Sequence, residues 1–146
     1  MSTALPDPYT HAEMYEDVPT KRLIAWCVDF LVIAAITAVL VPVTLFTAVF
    51  YLPFLVLMVS FLYRWTTLTT RGATWGMRFA SIEIREADGT RPDMLTSLLH
   101  TLGYHVSVAI FPLQLVSIAL MLMSERKQGL TDHILGTVAL NRSRDI

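Results

Sequence analysis

Two ionisable residues lie at the start of a long apolar run, in the segment KRLIAWCVDF. Arg22 stands at the edge of the run and Asp29 lies inside it, and residues 23–63 contain no other charged residue. A charged side chain near the centre of a bilayer costs on the order of 3 kcal/mol, so such residues usually pair with other polar groups or belong to a proton or ion pathway. Asp29 is therefore the first residue to examine for chemistry.

The spacing of Arg22 and Asp29 puts both residues on one face of a helix but makes a direct contact stretched. Seven residues turn through about 700° and rise about 10 Å. We therefore expect Arg22 either to extend toward the membrane interface or to contact a different segment of the chain.

Patterns for other chemistry are weak in this sequence. His100 and His105 are five residues apart and share a helical face poorly, which argues against a metal pair. The segment GATWGMR lacks the spacing of a phosphate-binding loop. With no triad, zinc spacing or paired catalytic carboxylates in the sequence, we expect neither an enzyme nor a cofactor.

Composition indicates an all-α integral membrane protein. Hydrophobic residues make up 54% of the chain and charged residues 16%, and the mean hydropathy is +0.55. The net charge of -1 gives no basic field for nucleic acid. A single cysteine, Cys27, excludes a disulfide framework within one chain.

The apolar residues form two blocks separated by polar sequence. The first block is about twice the roughly 20 residues of one crossing, so it predicts a helical hairpin of helices 23–43 and 45–63, with a turn near Pro42. The second block predicts two shorter helices, 94–110 and 111–124. The block makes either one crossing at about 104–123 preceded by an interfacial helix, or two short helices folded back on each other. The total is three or four membrane helices.

The polar segments predict a cytoplasmic loop, a small ribbon and two tails. Residues 1–20 are acidic and contain three prolines, which is typical of a disordered tail. The loop 64–93 contains a predicted strand at 81–86, and a second predicted strand at 136–141 offers it a partner in a small β-ribbon. Residues 143–146 form a short tail.

Basic residues predict the orientation in the membrane. Lys21 and Arg22 precede the first helix, five arginines lie in 64–93, and four basic residues follow the last apolar block. Because positively charged segments stay on the cytoplasmic side, we expect a multi-pass protein of the plasma membrane with a cytoplasmic N-terminus. The C-terminal segment then favours the same side, which needs an even number of crossings.

Three segments together resemble the RDD family of small bacterial membrane proteins. They are KRLIAWCVDF, RGATWGMRFASIEIREADGT and RKQGLTDHILGTVALNR. The resemblance covers about residues 20–142 and predicts one membrane domain at 21–142. It marks Arg22, Asp29 and Asp132 as the family's arginine and two aspartates, and a loop motif of the form G-x-T-x-G-x-R falls on Gly72, Thr74, Gly76 and Arg78.

The resemblance leaves two functions open. In the first, Arg22, Asp29 and Asp132 form a polar cluster near the cytoplasmic face of a structural membrane subunit that works with a second copy or with a partner membrane protein. In the second, which some members of the family suggest, the protein is a component of cation/proton transport with Asp29 as the titrating group and Arg22 setting its charge. The lipid bilayer is a partner in both interpretations, and nucleic acid is a partner in neither.

Overall fold

The computed structural model describes residues 5–44 and 50–141, which form six helices and a two-stranded sheet. A short 3-10 turn at Ala12–Met14 precedes α1. The labelled elements are α1 (Val18–Val43), α2 (Leu52–Arg71), α3 (Trp75–Phe79), β1 (Ile82–Arg85), α4 (Met94–Ala109), α5 (Phe111–Met123), α6 (Leu130–Leu135) and β2 (Val138–Asn141).

Two long apolar helices establish the membrane character of the fold. Helices α1 and α2 are long and apolar enough to cross a membrane, and the bent pair α4–α5 is a third span if the pair counts as one. The 26 residues of α1 correspond to about 39 Å, which exceeds the roughly 30 Å of a hydrocarbon core. The predicted all-α membrane fold is confirmed.

The second helix lies further along the chain than the sequence predicted. It begins at Leu52 and ends at Arg71, whereas the prediction was 45–63, and its predicted start falls outside the described residues. Its polar end remains helical through four threonines whose hydroxyls donate to carbonyls one turn earlier: Thr66, Thr67, Thr69 and Thr70. Gly72 then stops the helix with a positive φ of 69°. The predicted loop 64–93 is therefore partly helical.

The second apolar block has the predicted pair of short helices, and their ends agree with the prediction to within one residue. The axes of α4 and α5 differ by 116° across the break at Ile110. Pro112 follows in the first turn of α5, where its missing N–H costs nothing. The bend folds the second helix back toward the end at which the first begins.

The predicted β-ribbon is also present. Strands β1 and β2 pair antiparallel, with Ile84 opposite Ala139. Ile82 and Ile84 are buried in a core that includes Val18 of α1 and Leu68 of α2. The pairing brings the segment after α2 and the segment after α6 to the same end of the molecule, which we call the ribbon end.

The residues that the structure describes before α1, which the sequence predicts as part of a disordered tail, pack against the ribbon. Tyr15 is buried against Val138 and Leu140 of β2, and its hydroxyl donates to the carbonyl of Pro6. The side chain of Asn141 donates to backbone carbonyls in the same segment. Although the segment is acidic, Tyr15 attaches it to the fold, because the side chain of Tyr15 packs on the apolar residues of β2. The predicted tail 143–146 lies outside the described residues.

Candidate functional site

Asp132 is a fully buried carboxylate at the first turn of α6. It accepts hydrogen bonds from Arg22 Nη1 at 2.5 Å and Thr137 Oγ1 at 2.8 Å. The backbone N–H of Gly129 donates at 3.1 Å, and His100 Nε2 lies 3.0 Å from Oδ1. The structure therefore brings the predicted pair Arg22 and Asp132 together, across 110 residues of sequence.

Local geometry explains why α6 carries this carboxylate at its start. Gly129 caps the helix, and Asp132, three residues later, accepts from the N–H of that cap. A Cβ on Gly129 would lie 2.6 Å from atoms of Ser117 and Met121, so glycine lets α6 approach α5. Gly136 ends the helix with a positive φ of 73°.

Two opposing effects act on the charge of Asp132. Burial raises the pKa of its carboxyl, but the guanidinium of Arg22 and the imidazole of His100 outweigh burial and hold the pKa below its usual range. The group is therefore ionised at neutral pH, as the ion pair with Arg22 requires.

Asp29 is a second buried carboxylate, at the middle of α1. Its Oδ1 accepts from the hydroxyl of Tyr63 at 2.6 Å and from the N–H of Gly76 at 2.8 Å. Its Oδ2 accepts from the hydroxyl of Thr74 at 2.6 Å, and Arg64 Nη2 lies 3.8 Å away. Donors therefore reach both oxygens, from α2 and from the start of α3.

The loop motif builds the wall that meets Asp29. Thr74 caps α3 by accepting from the N–H of Met77 while its hydroxyl donates to Asp29. A Cβ on Gly76 would lie 2.0 Å from the carbonyl of Ala25, so only glycine lets α3 lie this close to α1. Arg78, the last motif residue, is exposed, and no hydrogen bond or ion pair joins its side chain to another described residue.

The structure separates the predicted polar cluster into two sites. Arg22 pairs with Asp132, and the cation beside Asp29 is Arg64. Arg22 and Asp29 share one helical face about 10 Å apart, but each contacts a different segment of the chain. Sequence reasoning assigned no role to Arg64, although it is the first charged residue after the apolar run, and it treated His100 as a routine polar contact.

A cavity of about 510 Å³ lies between the two carboxylate sites. Its wall includes Asp29 and Arg64 from one site and Asp132 from the other. The guanidinium of Arg64 stacks over the ring of Tyr104 at 3.8 Å from the centroid, a cation–π arrangement. Most of the remaining wall is apolar.

Fold and site define a small helical membrane protein in which two buried carboxylates meet polar groups from α3 and α6. The model of the RDD family matches residues 18–136, which is most of the chain. The chain belongs to the RDD family. No curated protein and no solved structure matches it.

Proposed function

We propose that this protein is a structural membrane subunit whose two carboxylates fasten the polar segments at the ribbon end to the membrane helices. The observation that carries the proposal is the complete hydrogen bonding of Asp29 and Asp132. A carboxylate with donors on both oxygens is suited to holding elements in one arrangement. Removing one member of a buried pair typically costs about 3–5 kcal/mol.

The ribbon end is proposed to face the cytoplasm from the plasma membrane. Exposed arginines occur there on three different segments, at Arg71, Arg78 and Arg91. Excess positive charge beside membrane helices marks the cytoplasmic side, and the N-terminal segment packs on β2 at this end.

A second copy of the chain or another membrane protein is the proposed partner. The outer face of α3 supports this proposal, because Trp75 and Phe79 are exposed on either side of Arg78. Aromatic residues and arginine are enriched where proteins contact one another. The Asp29 site holds this face in position, because Thr74 and Gly76 at the start of α3 donate to Asp29.

The alternative function is a component of cation/proton transport in which Asp29 titrates. Its position in the wall of the cavity favours this alternative. Arg64, rather than the predicted Arg22, would then set the charge of Asp29.

Asp29→Asn distinguishes the two functions, with Asp88→Asn as the control because Asp88 is exposed in a turn. The purified full chain is reconstituted in vesicles that contain a pH-sensitive dye, and Na⁺ or K⁺ is added outside. As a structural subunit, the unsubstituted protein produces no cation-dependent proton movement, and Asp29→Asn lowers the melting temperature while Asp88→Asn leaves it unchanged. Cation-dependent proton movement that Asp29→Asn abolishes in a folded protein would contradict the structural function and support transport.

A further inference from the structure

The cavity between the two carboxylate sites has an opening toward the lipid-facing surface. Leu23 and Trp26 of α1 line it on one side, and Ile118 and Leu122 of α5 line it on the other. All four side chains are also exposed, between 43% and 63%. A molecule in the bilayer therefore has an apolar route into the cavity from the side.

The polar part of the cavity has hydrogen-bond acceptors whose capacity is already used. Asp132 accepts from Arg22, Gly129 and Thr137. Asp29 accepts from three donors of its own. These carboxylates therefore have little capacity left to attract a cation or a donor from a ligand.

Arg64 is a donor in this cavity whose bonding is incomplete. Its side chain is 7% exposed, and its Nε has no hydrogen-bond partner among the described residues. Its Nη2 lies 3.8 Å from Asp29, which is beyond hydrogen-bond length. Because arginine keeps its charge, a buried guanidinium with unfilled donors is costly unless an acceptor reaches it.

We propose that the cavity binds an amphiphile with an anionic oxygen head group, either a carboxylate or a phosphate. The head accepts hydrogen bonds from Arg64, and the chain lies along Trp26 and Ile118 toward the bilayer. A cavity of about 510 Å³ is in the range of sites that enclose a drug-sized molecule, so it holds the head and the first part of one acyl chain. This binding site is independent of the proposed structural function.

Trp26 gives a local probe of this site. With Trp65→Phe and Trp75→Phe, it is the remaining tryptophan of the chain, and its fluorescence is measured in phosphatidylcholine nanodiscs that contain the full-length protein. A brominated fatty acid quenches a tryptophan that it contacts. We expect saturable quenching at a low mole fraction, and we expect a brominated fatty alcohol of equal length to quench only in proportion to its concentration.

Arg64→Gln is the test variant, and Arg71→Gln on the exposed part of the same helix is its matched control. Loss of a charge-assisted hydrogen bond is expected to weaken binding of the brominated fatty acid by about tenfold or more, whereas Arg71→Gln leaves binding unchanged. Equal saturable binding by Arg64→Gln and Arg71→Gln would overturn the proposal, as would quenching that never saturates.

Leu122→Phe is the alternative test variant if Arg64→Gln does not fold. Leu122 lines the part of the cavity proposed to bind the acyl chain and is 63% exposed. The larger ring narrows the opening, so binding of the fatty acid is expected to weaken severalfold, and unchanged binding would count against the proposed chain path.

Two further probes separate the sources of the anionic oxygen. Saturable quenching by a brominated phosphatidate assigns the site to a phospholipid phosphate, and quenching by the fatty acid alone assigns it to a carboxylate. Displacement of either by millimolar inorganic phosphate would show that the site takes a free anion and would overturn the role of the acyl chain.

Discussion

At the scale of single residues, the two buried aspartates are tolerated because donors reach both oxygens of each carboxylate. A buried ion left without partners costs several kcal/mol, and hydrogen bonds to a charged group contribute about 1.5–3 kcal/mol each. At Asp132, the side chains of Arg22 and Thr137 and the N–H of Gly129 fill these places.

Asp132→Asn is expected to lower the free energy of unfolding by about 3–5 kcal/mol at pH 7. The amide removes the negative charge that faces Arg22 and turns one acceptor into a donor. The measurement is denaturant unfolding of the full chain in detergent micelles, with the exposed Asp88→Asn as a control that stays within about 0.5 kcal/mol of the unsubstituted protein.

The difference in unfolding free energy between the unsubstituted protein and Asp132→Asn should depend on pH with a defined sign. The pKa of Asp132 is lower in the folded than in the unfolded state, where it is about 3.9. Its contribution is therefore complete above about pH 3.9 and is lost as the pH falls through the lower folded value. The difference between the unsubstituted protein and Asp132→Asn should shrink only below about pH 4, and a difference that shrinks near pH 6 would be inconsistent with this assignment.

Sequence reasoning found one ion pair of this site but not the other. The family resemblance marked Arg22 and Asp132, and their pairing needed only that the C-terminal segment return to α1. Arg64 and His100 carry no such mark, and their roles depend on how α2 and α4 are rotated about their axes. Helical rotation is set by packing among several elements, which periodicity in one segment does not specify.

At the scale of elements, α3 and α6 are too short to be stable by themselves. Helices of five and six residues are far below the roughly 12–15 residues at which an isolated helix becomes even marginal in water. Each is held at its first turn by a carboxylate, Asp29 for α3 and Asp132 for α6. Contacts with the rest of the protein therefore stabilise both short helices.

Gly76→Ala tests the close approach of α3 to α1. The added methyl group would meet the carbonyl of Ala25 and the carboxylate of Asp29, so the two helices must separate. We expect a loss of about 1–3 kcal/mol in unfolding free energy, measured as a lower melting temperature in detergent.

Arg78→Ala is the matched control for Gly76→Ala, because Arg78 lies on the exposed side of the same short helix. Its melting temperature should stay close to that of the unsubstituted protein. If Gly76→Ala is as stable as Arg78→Ala, the contact between α3 and α1 is looser than the structure has it.

Prediction at the element scale succeeded where one local signal was dominant. The alternation around Ile82 and Ile84 indicated β1, and Pro112 marked the division between α4 and α5. The end of α2 was misplaced because the prediction stopped where the uncharged run ends, before Arg64, whereas the helix continues through polar residues to Arg71. The packing of Tyr15 could not be predicted from its own segment, because it depends on a strand more than 120 residues away.

At the scale of the whole molecule, the described elements divide into a ribbon end and an opposite end where α1 passes to α2. The ribbon, α3, α6 and the start of α1 belong to the first. The end of α1 at Val43 and the start of α2 at Leu52 lie at the second. Asp88, next to β1, and Glu125, after α5, are then expected on one side of the membrane, and Phe50 on the other.

Single cysteines test this arrangement in a Cys27→Ser background, since Cys27 is the native cysteine. A membrane-impermeant maleimide applied to right-side-out vesicles should label Phe50→Cys, which is 91% exposed. It should label Asp88→Cys and Glu125→Cys only after the membrane is made permeable. If Glu125→Cys but not Asp88→Cys were labelled from outside, the segments that carry β1 and β2 would lie on opposite sides of the membrane. That result would rule out the pairing of the two strands.

The bond between Arg22 and Asp132 also constrains how the protein is made. The two residues are separated by 110 positions, which a ribosome working at 5–20 residues per second crosses in roughly 5–20 s. During that interval α1 is already available for insertion while its arginine has no carboxylate from α6. The nascent chain therefore passes through a stage in which Arg22 lacks its carboxylate partner and is hydrated at the membrane surface. Synthesis of α6 ends that stage, because α6 supplies Asp132 as the partner of Arg22.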